Sequence, residues 1–144
     1  MRIIFIVLIL LSLGCDRSNQ PNEMRFHTMN NLPIITVDIN GKPGRLLIDT
    51  GASVSIIHTR EANKYGFSTG KSKDPVFGIG GGTNALSTYN LRVTYRDSLI
   101  DTDFIALDLT DVKRNTGVVG ILGSDWMKRN RVTVDFDNNI ILLK

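Results

Sequence analysis

Leu46-Leu47-Ile48-Asp49-Thr50-Gly51-Ala52-Ser53 is the stretch on which the reading of this chain turns. Three aliphatic residues in succession are strand material, and they run straight into a carboxylate followed by residues suited to a sharp turn. An aspartate that ends an apolar strand is partly buried, and burying a carboxylate is costly unless hydrogen bonds or a shared proton compensate. Gly51 lets backbone amides approach that carboxylate, and the Thr50 hydroxyl can brace the loop. Asp-Thr-Gly alone is modest evidence, because chance puts it in roughly three chains per hundred of this length. Its context therefore decides what it means.

Outward from this point the chain reads as all-β. Ile34 to Ile39 and Arg45 to Ile48 form a hairpin across the turn residues Asn40-Gly41-Lys42-Pro43-Gly44. Further strands are expected around Ser87 to Arg96, Thr102 to Leu107, Val132 to Phe136 and Ile140 to Leu143, the last pair turning at Asp137-Asn138-Asn139. Two helical pieces interrupt them, one near Thr59 to Tyr65 closed by Gly66, the other near Ser124 to Asn130 with Ser124 as N-cap. The chain has 144 residues, 42% hydrophobic and 22% charged, so it holds one globular domain and is neither disordered throughout nor collagen-like. Its formal charge of +3 comes from 17 Lys and Arg against 14 Asp and Glu without a basic block in the sequence, and no nucleic-acid partner is expected. One cysteine excludes an internal disulfide and a Cys-type zinc site.

About seventy residues after Asp49 comes Val118-Val119-Gly120-Ile121-Leu122-Gly123-Ser124-Asp125-Trp126-Met127. With it, the chain resembles the retropepsin-type aspartic proteases, the single-motif relatives of pepsin found in retroviruses, retrotransposons and many bacteria. In that family a strand ends in hydrophobic-Asp-Thr-Gly-Ala, a glycine-bearing flap follows, and a hydrophobic pair plus Gly precedes a short helix. The matching pieces are Ile48 to Ala52, Phe77-Gly78-Ile79-Gly80-Gly81-Gly82, and Ile121-Leu122-Gly123. Ile121 to Met127 is close to the Ile-Leu-Gly-x-Asp-Trp-Leu string of retrotransposon proteases, and the resemblance covers Leu32 to Lys144.

The resemblance implies a half-barrel with a flap hairpin, one or two short helices, and an endopeptidase mechanism without metal or other cofactor. Two carboxylates about 3 Å apart cannot both ionise, so they share a proton and titrate as a pair. The ionised one takes a proton from a water held between them while the other donates to the peptide carbonyl. Only one Asp-Thr-Gly is present, since Asp101-Thr102-Asp103 lacks the glycine, so the second aspartate must be Asp49 of another copy in a homodimer. Thr50, Gly51 and Ala52 support the loop. Ala52 has no hydroxyl to lower the pKa of the pair, as Ser or Thr does at this position in pepsin-like relatives, which implies a weakly acidic to neutral optimum. Gly78, Ile79, Gly80, Gly81 and Gly82 form a flap that is costly to order, at about 0.5 to 1 kcal/mol per Gly relative to Ala, and closes over an extended peptide or protein substrate. The same glycines lack the strand and helix context of a nucleotide-binding loop. A catalytically silent peptide-binding or scaffold protein with the same fold is the competing reading.

The N-terminus reads as an address. Met1-Arg2 gives a positive start, and Ile3 to Leu11 is an apolar run too short to span a bilayer, which takes roughly 20 residues. Ser12-Leu13-Gly14-Cys15 resembles a bacterial lipoprotein signal, with Ser12 where that signal has Leu. Residues 1–15 are then a signal segment, Cys15 the lipidated residue, 16–31 a polar tether, and the location extracytoplasmic at a membrane. His27 and His58 have no companions for a metal site, and Trp126 and Met127 are core candidates. Asp125 is expected to cap or pair near its helix, and Asp135 and Asp137 to serve a turn.

Overall fold

The computed structural model describes residues 22–72, 75–78 and 81–144. The expected signal segment, Cys15, the first part of the expected tether, and Ile79 and Gly80 of the expected flap lie outside the described residues. The strands in chain order are β1 (Glu23–Arg25), β2 (His27–Met29), β3 (Leu32–Ile39), β4 (Lys42–Ile48), β5 (Ile56–His58), β6 (Ser68–Ser72), β7 (Val76–Gly78), β8 (Gly81–Thr83), β9 (Leu86–Tyr89), β10 (Val93–Tyr95), β11 (Ser98–Leu99), β12 (Ile105–Leu107), β13 (Gly120–Leu122), β14 (Thr133–Asp135) and β15 (Ile140–Leu142). The helices are α1 (Ala62–Tyr65), entered through a 3-10 turn at Thr59–Glu61, α2 (Thr110–Thr116) and α3 (Ser124–Arg129).

One curled sheet forms the half-barrel, in the order β11-β10-β3-β4-β13-β5-β12-β9-β6, with β2 added beside β3. At its centre β4 and β13 run parallel, pairing Gly120 with Leu46, Ile121 with Leu47 and Leu122 with Ile48, and β5 lies antiparallel on the other side of β13. Both faces of this centre are covered. Leu46, Ile48 and Leu122 point into the larger apolar cluster with Trp126 and Tyr65, while Leu47 and Ile121 point into a second cluster with Ile34, Ile56 and Leu107. A strand buried on both sides needs a continuous apolar run rather than an alternating one, which is why Leu46-Leu47-Ile48 has no polar member.

Most expected elements are present, with several differences. The β3–β4 turn is only Asn40-Gly41, with φ of 48° and 80°, the two left-handed residues of a primed turn matched to strand twist. Lys42, Pro43 and Gly44, read as turn, continue β4, and Asp38 holds the corner by accepting from the Gly41 amide at 2.6 Å. Gly66 closes α1 with φ 74°, donating to the Ala62 carbonyl at 2.7 Å. Gly123, in extended conformation, occupies the N-cap of α3, so Ser124 is its first helical residue and not its cap. α2 is a third helix the sequence reading did not contain.

The expected tether is corrected over its second half. Residues 23–25 and 27–29 are strands: β1 pairs with β15, placing β15 between β1 and β14 in a three-stranded sheet, and β2 pairs with β3. Met24 and Phe26 are buried in the main cluster, and the Phe26 ring meets Phe136 edge-on at 5.5 Å. Two apolar side chains at strand spacing are enough to bind this polar stretch to the core. Among the described residues no helix is long and apolar enough to cross a membrane.

Candidate active site

β4 leaves the core at Ile48, and the next residue, Asp49, is half-buried at the strand end. Its amide donates to the Leu122 carbonyl at 3.1 Å, extending the parallel ladder with β13 by one bond. The chain then turns so that the Gly51 amide donates to Asp49 Oδ1 at 2.8 Å and the Ala52 amide to the Asp49 carbonyl at 3.3 Å. A Cβ on Gly51 would stand 3.2 Å from that carboxylate oxygen, so the glycine keeps the approach open. The other carboxylate oxygen belongs to a group with solvent access at the loop surface. Thr50 is exposed beside it.

The loop is held from below by the second motif. Ser124 donates its amide to the Ala52 carbonyl at 2.8 Å. Asp125 accepts from the Ser55 amide at 3.0 Å, from the Ser55 hydroxyl at 2.8 Å and from the Thr102 hydroxyl at 3.2 Å, while Ser55 Oγ in turn accepts from the Gly123 amide at 3.1 Å. A Cβ on Gly123 would meet the Val54 carbonyl oxygen at 2.5 Å and the Ala52 carbonyl oxygen at 2.8 Å. Glycine is needed there for space, since its φ of −90° suits any residue. Asp125 thus pairs near the start of its helix, as read from the sequence. What sequence reasoning missed is that its partners are Ser55, fully buried, and Thr102, which makes the carboxylate a clamp joining three segments. No local signal marks Ser55 or Thr102, because their role comes from contacts 70 and 23 residues away in the chain.

Asp49, Thr50, Gly51 and Ala52 therefore lie in one loop, and Ile121, Leu122 and Gly123 lie alongside it on β13. Gly78, Gly81 and Gly82 belong to the β7–β8 hairpin, a separate two-stranded sheet with Phe77 opposite Gly82 and Gly78 opposite Gly81. Its base is fixed by Val76, half-buried against the second cluster, and the following Ala85, fully buried there. Trp126 is buried in the main cluster and Met127 packs against it. His27 is exposed, whereas His58 is buried with Nδ1 accepting from the Leu109 amide at 3.0 Å, which places the proton of the neutral ring on Nε2. Asp108 is held below the usual carboxylate range, at about 2, by bonds from Thr110 and then Arg60, and Asp135 is lowered by bonds from Asn138. These are turn carboxylates, and their shifts reflect local amides and hydroxyls. Among the described residues no group of three or more His, Asp or Glu could hold a metal ion.

A curled half-barrel, an Asp-Thr-Gly loop at the end of a buried strand, a parallel Ile-Leu-Gly strand beneath it and a glycine hairpin define an acid protease domain of the single-motif type. Residues 35–126 match the family described as aspartyl protease, and the chain belongs to that family, with a retropepsin-like fold. It is 29% identical over 110 residues to the DNA damage-inducible protein 1 of Saccharomyces cerevisiae and 27% identical over 110 residues to that of Candida glabrata, covering 74% of this chain in each case. The chain spans about a quarter of the length of these curated relatives, 24% of each. Among solved structures, a retropepsin-like aspartic protease from Rickettsia conorii superposes with a TM-score of 0.60 at 19% identity, over 84% of this chain and 89% of that one. The EIAV protease complexed with the inhibitor HBY-793 gives 0.54 at 26% identity, over 72% and 91%. The retroviral protease-like domain of Ddi1 from Leishmania major gives 0.54 at 19%, over 77% and 86%.

Proposed function

We propose that the protein is an aspartic endopeptidase whose active unit is a homodimer, with Asp49 of each copy supplying one carboxylate. The observation that carries this reading is the placement of Asp49: its backbone is locked into the central ladder, one oxygen is engaged by the Gly51 amide, and the group keeps solvent access at the strand end. One chain offers one such carboxylate, and two-fold symmetry supplies the other. With the pair sharing one proton, the charged carboxylate acts as base on a bound water, the protonated one as acid on the scissile carbonyl, and the roles exchange as the tetrahedral intermediate breaks down. The β7–β8 hairpin covers a substrate lying extended in the cleft, where backbone hydrogen bonds hold it. Ala52 gives no hydroxyl bond to the carboxylate, which accords with a weakly acidic to neutral optimum. The lipoprotein-like sequence ending at Cys15 supports an extracytoplasmic, membrane-anchored location, where confinement to a surface raises the encounter rate of two copies.

The test is cleavage of a peptide library by wild type and by Asp49→Asn, together with molecular mass in solution. The variant is expected to fold as wild type and to lose cleavage by about 10²–10⁴-fold or more, as befits loss of an acid–base pair. Specific activity of wild type should fall steeply on dilution as dimers separate. Equal cleavage by both forms defeats the enzyme reading and leaves a peptide-binding domain; activity independent of concentration while the protein is monomeric defeats the dimer.

A further inference from the structure

The basic residues have no block in the sequence, yet the fold gathers six of them on one face. Lys42, Arg45, Arg60, Lys64, Lys113 and Arg114 meet around α1, α2 and the start of β4, where the carboxylates that contact them are Glu61, Asp108 and Asp111. That is a surplus of three, equal to the formal charge of the whole chain; the remaining eleven Lys and Arg are balanced by eleven Asp and Glu.

Within this face is a cavity of about 330 Å³, into which three elements each send a cation: Arg45 from β4, Lys64 from α1 and Lys113 from α2. Glu61 is the one carboxylate bonded to this group. It is buried, with Lys113 on one oxygen and Lys64 at 3.8 Å from the other. The net charge of the four is +2. Arg45 has no carboxylate partner among the described residues; its guanidinium donates to the Gly117 carbonyl at 3.2 Å. The guanidinium lies close over the left-handed Gly117, φ 67°, where a Cβ would stand 2.0 Å from its terminal nitrogen. Lys64 spends one donor on Tyr65 Oη at 3.0 Å, and that bond, ahead of other influences, raises its pKa. Three side chains with eleven N–H donors thus use few of them, and Thr36, opposite Arg45 in the β3–β4 register, adds a hydroxyl at the wall.

We propose that Arg45, Lys64 and Lys113 form a binding site for a phosphate-type dianion, separate from the Asp49 loop. The charge fits a dianion, the planar fork of Arg45 suits two phosphate oxygens at once, and the volume suits a phosphate group with a small substituent. The site lies four residues before Asp49 on the same strand, about 13 Å along it. It also lies where the Val119 amide donates to the Arg45 carbonyl at 2.8 Å, at the start of the β4–β13 ladder whose far end holds Asp49. The proposal stands on this face alone and is independent of the protease reading.

Amide chemical shifts of the protein titrated with inorganic phosphate, against chloride at matched ionic strength, test it. Saturable shifts are expected at Thr36, Gly117 and Val119, with Arg45→Gln weakening the apparent affinity at least tenfold and Lys64→Gln several-fold, each variant first shown to melt as a folded protein. A second arm measures binding to vesicles containing phosphatidic acid, whose phosphomonoester headgroup can carry the two charges of a dianion. Loss of vesicle binding in Arg45→Gln, without saturation by free phosphate, places the phosphate on a lipid headgroup; saturation by free phosphate without vesicle binding places it on a soluble ligand. Neither arm positive, or binding untouched by both substitutions, overturns the proposal.

Discussion

Residues 49–55 and residues 76–83 both carry the glycines that the family resemblance singles out, but they are secured very differently. The first segment is tied to residues 122–125 through backbone amides, the Ser55 hydroxyl and both oxygens of Asp125, with Gly123 pressed against its underside. The second pairs with itself as a two-stranded hairpin, and its described attachment to the body is apolar, through Val76 and Ala85 at its base. Under the proposed function the first segment holds a reacting carboxylate, which must be fixed to within fractions of an ångström, whereas the second admits and covers a substrate and must change position. Substitutions in the braced loop should therefore cost stability and activity together, and substitutions in the hairpin should alter activity while stability stays put.

The largest effect is expected at Gly123. Gly123→Ala places a methyl group 2.5 to 2.8 Å from backbone atoms of Val54 and Ala52, none of which can rotate away. The loop or α3 must shift, at a cost near the upper end of overpacking, about 3 kcal/mol, which lowers the melting temperature by roughly 10 °C. Cleavage should fall with it, because Ala52 and Val54 belong to the Asp49 loop. A melting temperature within a degree or two of wild type would show that the loop is less tightly braced than its contacts indicate.

Asp125→Asn comes next. The side chain keeps its shape but trades one acceptor oxygen for an NH2 group, so a Ser55 or Thr102 donor now faces another donor. Losing a charge-assisted bond to a buried amide or hydroxyl costs about 1–2 kcal/mol, read as a shift in the urea midpoint. If Asp125 positions the loop, kcat should fall more than the unfolded fraction explains, with KM little changed. Lost stability with unchanged kcat in the folded fraction would confine Asp125 to a packing role.

How much of this was legible in the sequence depended on whether the cause was local. Leu46 to Ala52 announced itself because burial on both faces forces an unbroken apolar run, and Asp49 interrupts it. Asn40-Gly41 and Gly66 were legible because left-handed backbone selects those residues. α2 was missed because Thr110–Thr116 contains Val112 as its one aliphatic residue, too little for a helical stripe; its usable signal was Gly117, whose φ of 67° closes it. β1 was hidden for a similar reason, with Met24, and Phe26 just beyond the strand, as the buried apolar residues of a polar stretch. The Asp125 clamp and the basic face had no local signature at all, since both arise only when distant segments are brought together by the sheet.

The smallest effect on stability is expected in the hairpin, and it is also the most discriminating. Gly82 lies exposed in β8, paired with Phe77, and a strand backbone is one that alanine readily adopts. Gly82→Ala removes backbone freedom from the unfolded chain as much as from the hairpin, so the melting temperature should stay within about 2 °C of wild type or rise slightly. If the hairpin closes on substrate, the added methyl group stiffens it and crowds its approach to the bound peptide, and kcat/KM should drop by about two- to tenfold, which corresponds to roughly 0.4–1.4 kcal/mol of transition-state binding. An unchanged kcat/KM would remove the hairpin from the substrate path. A fall in melting temperature matching that of Asp125→Asn would erase the contrast between the two segments, because it would show the hairpin to be as firmly built into the fold as the loop that holds Asp49.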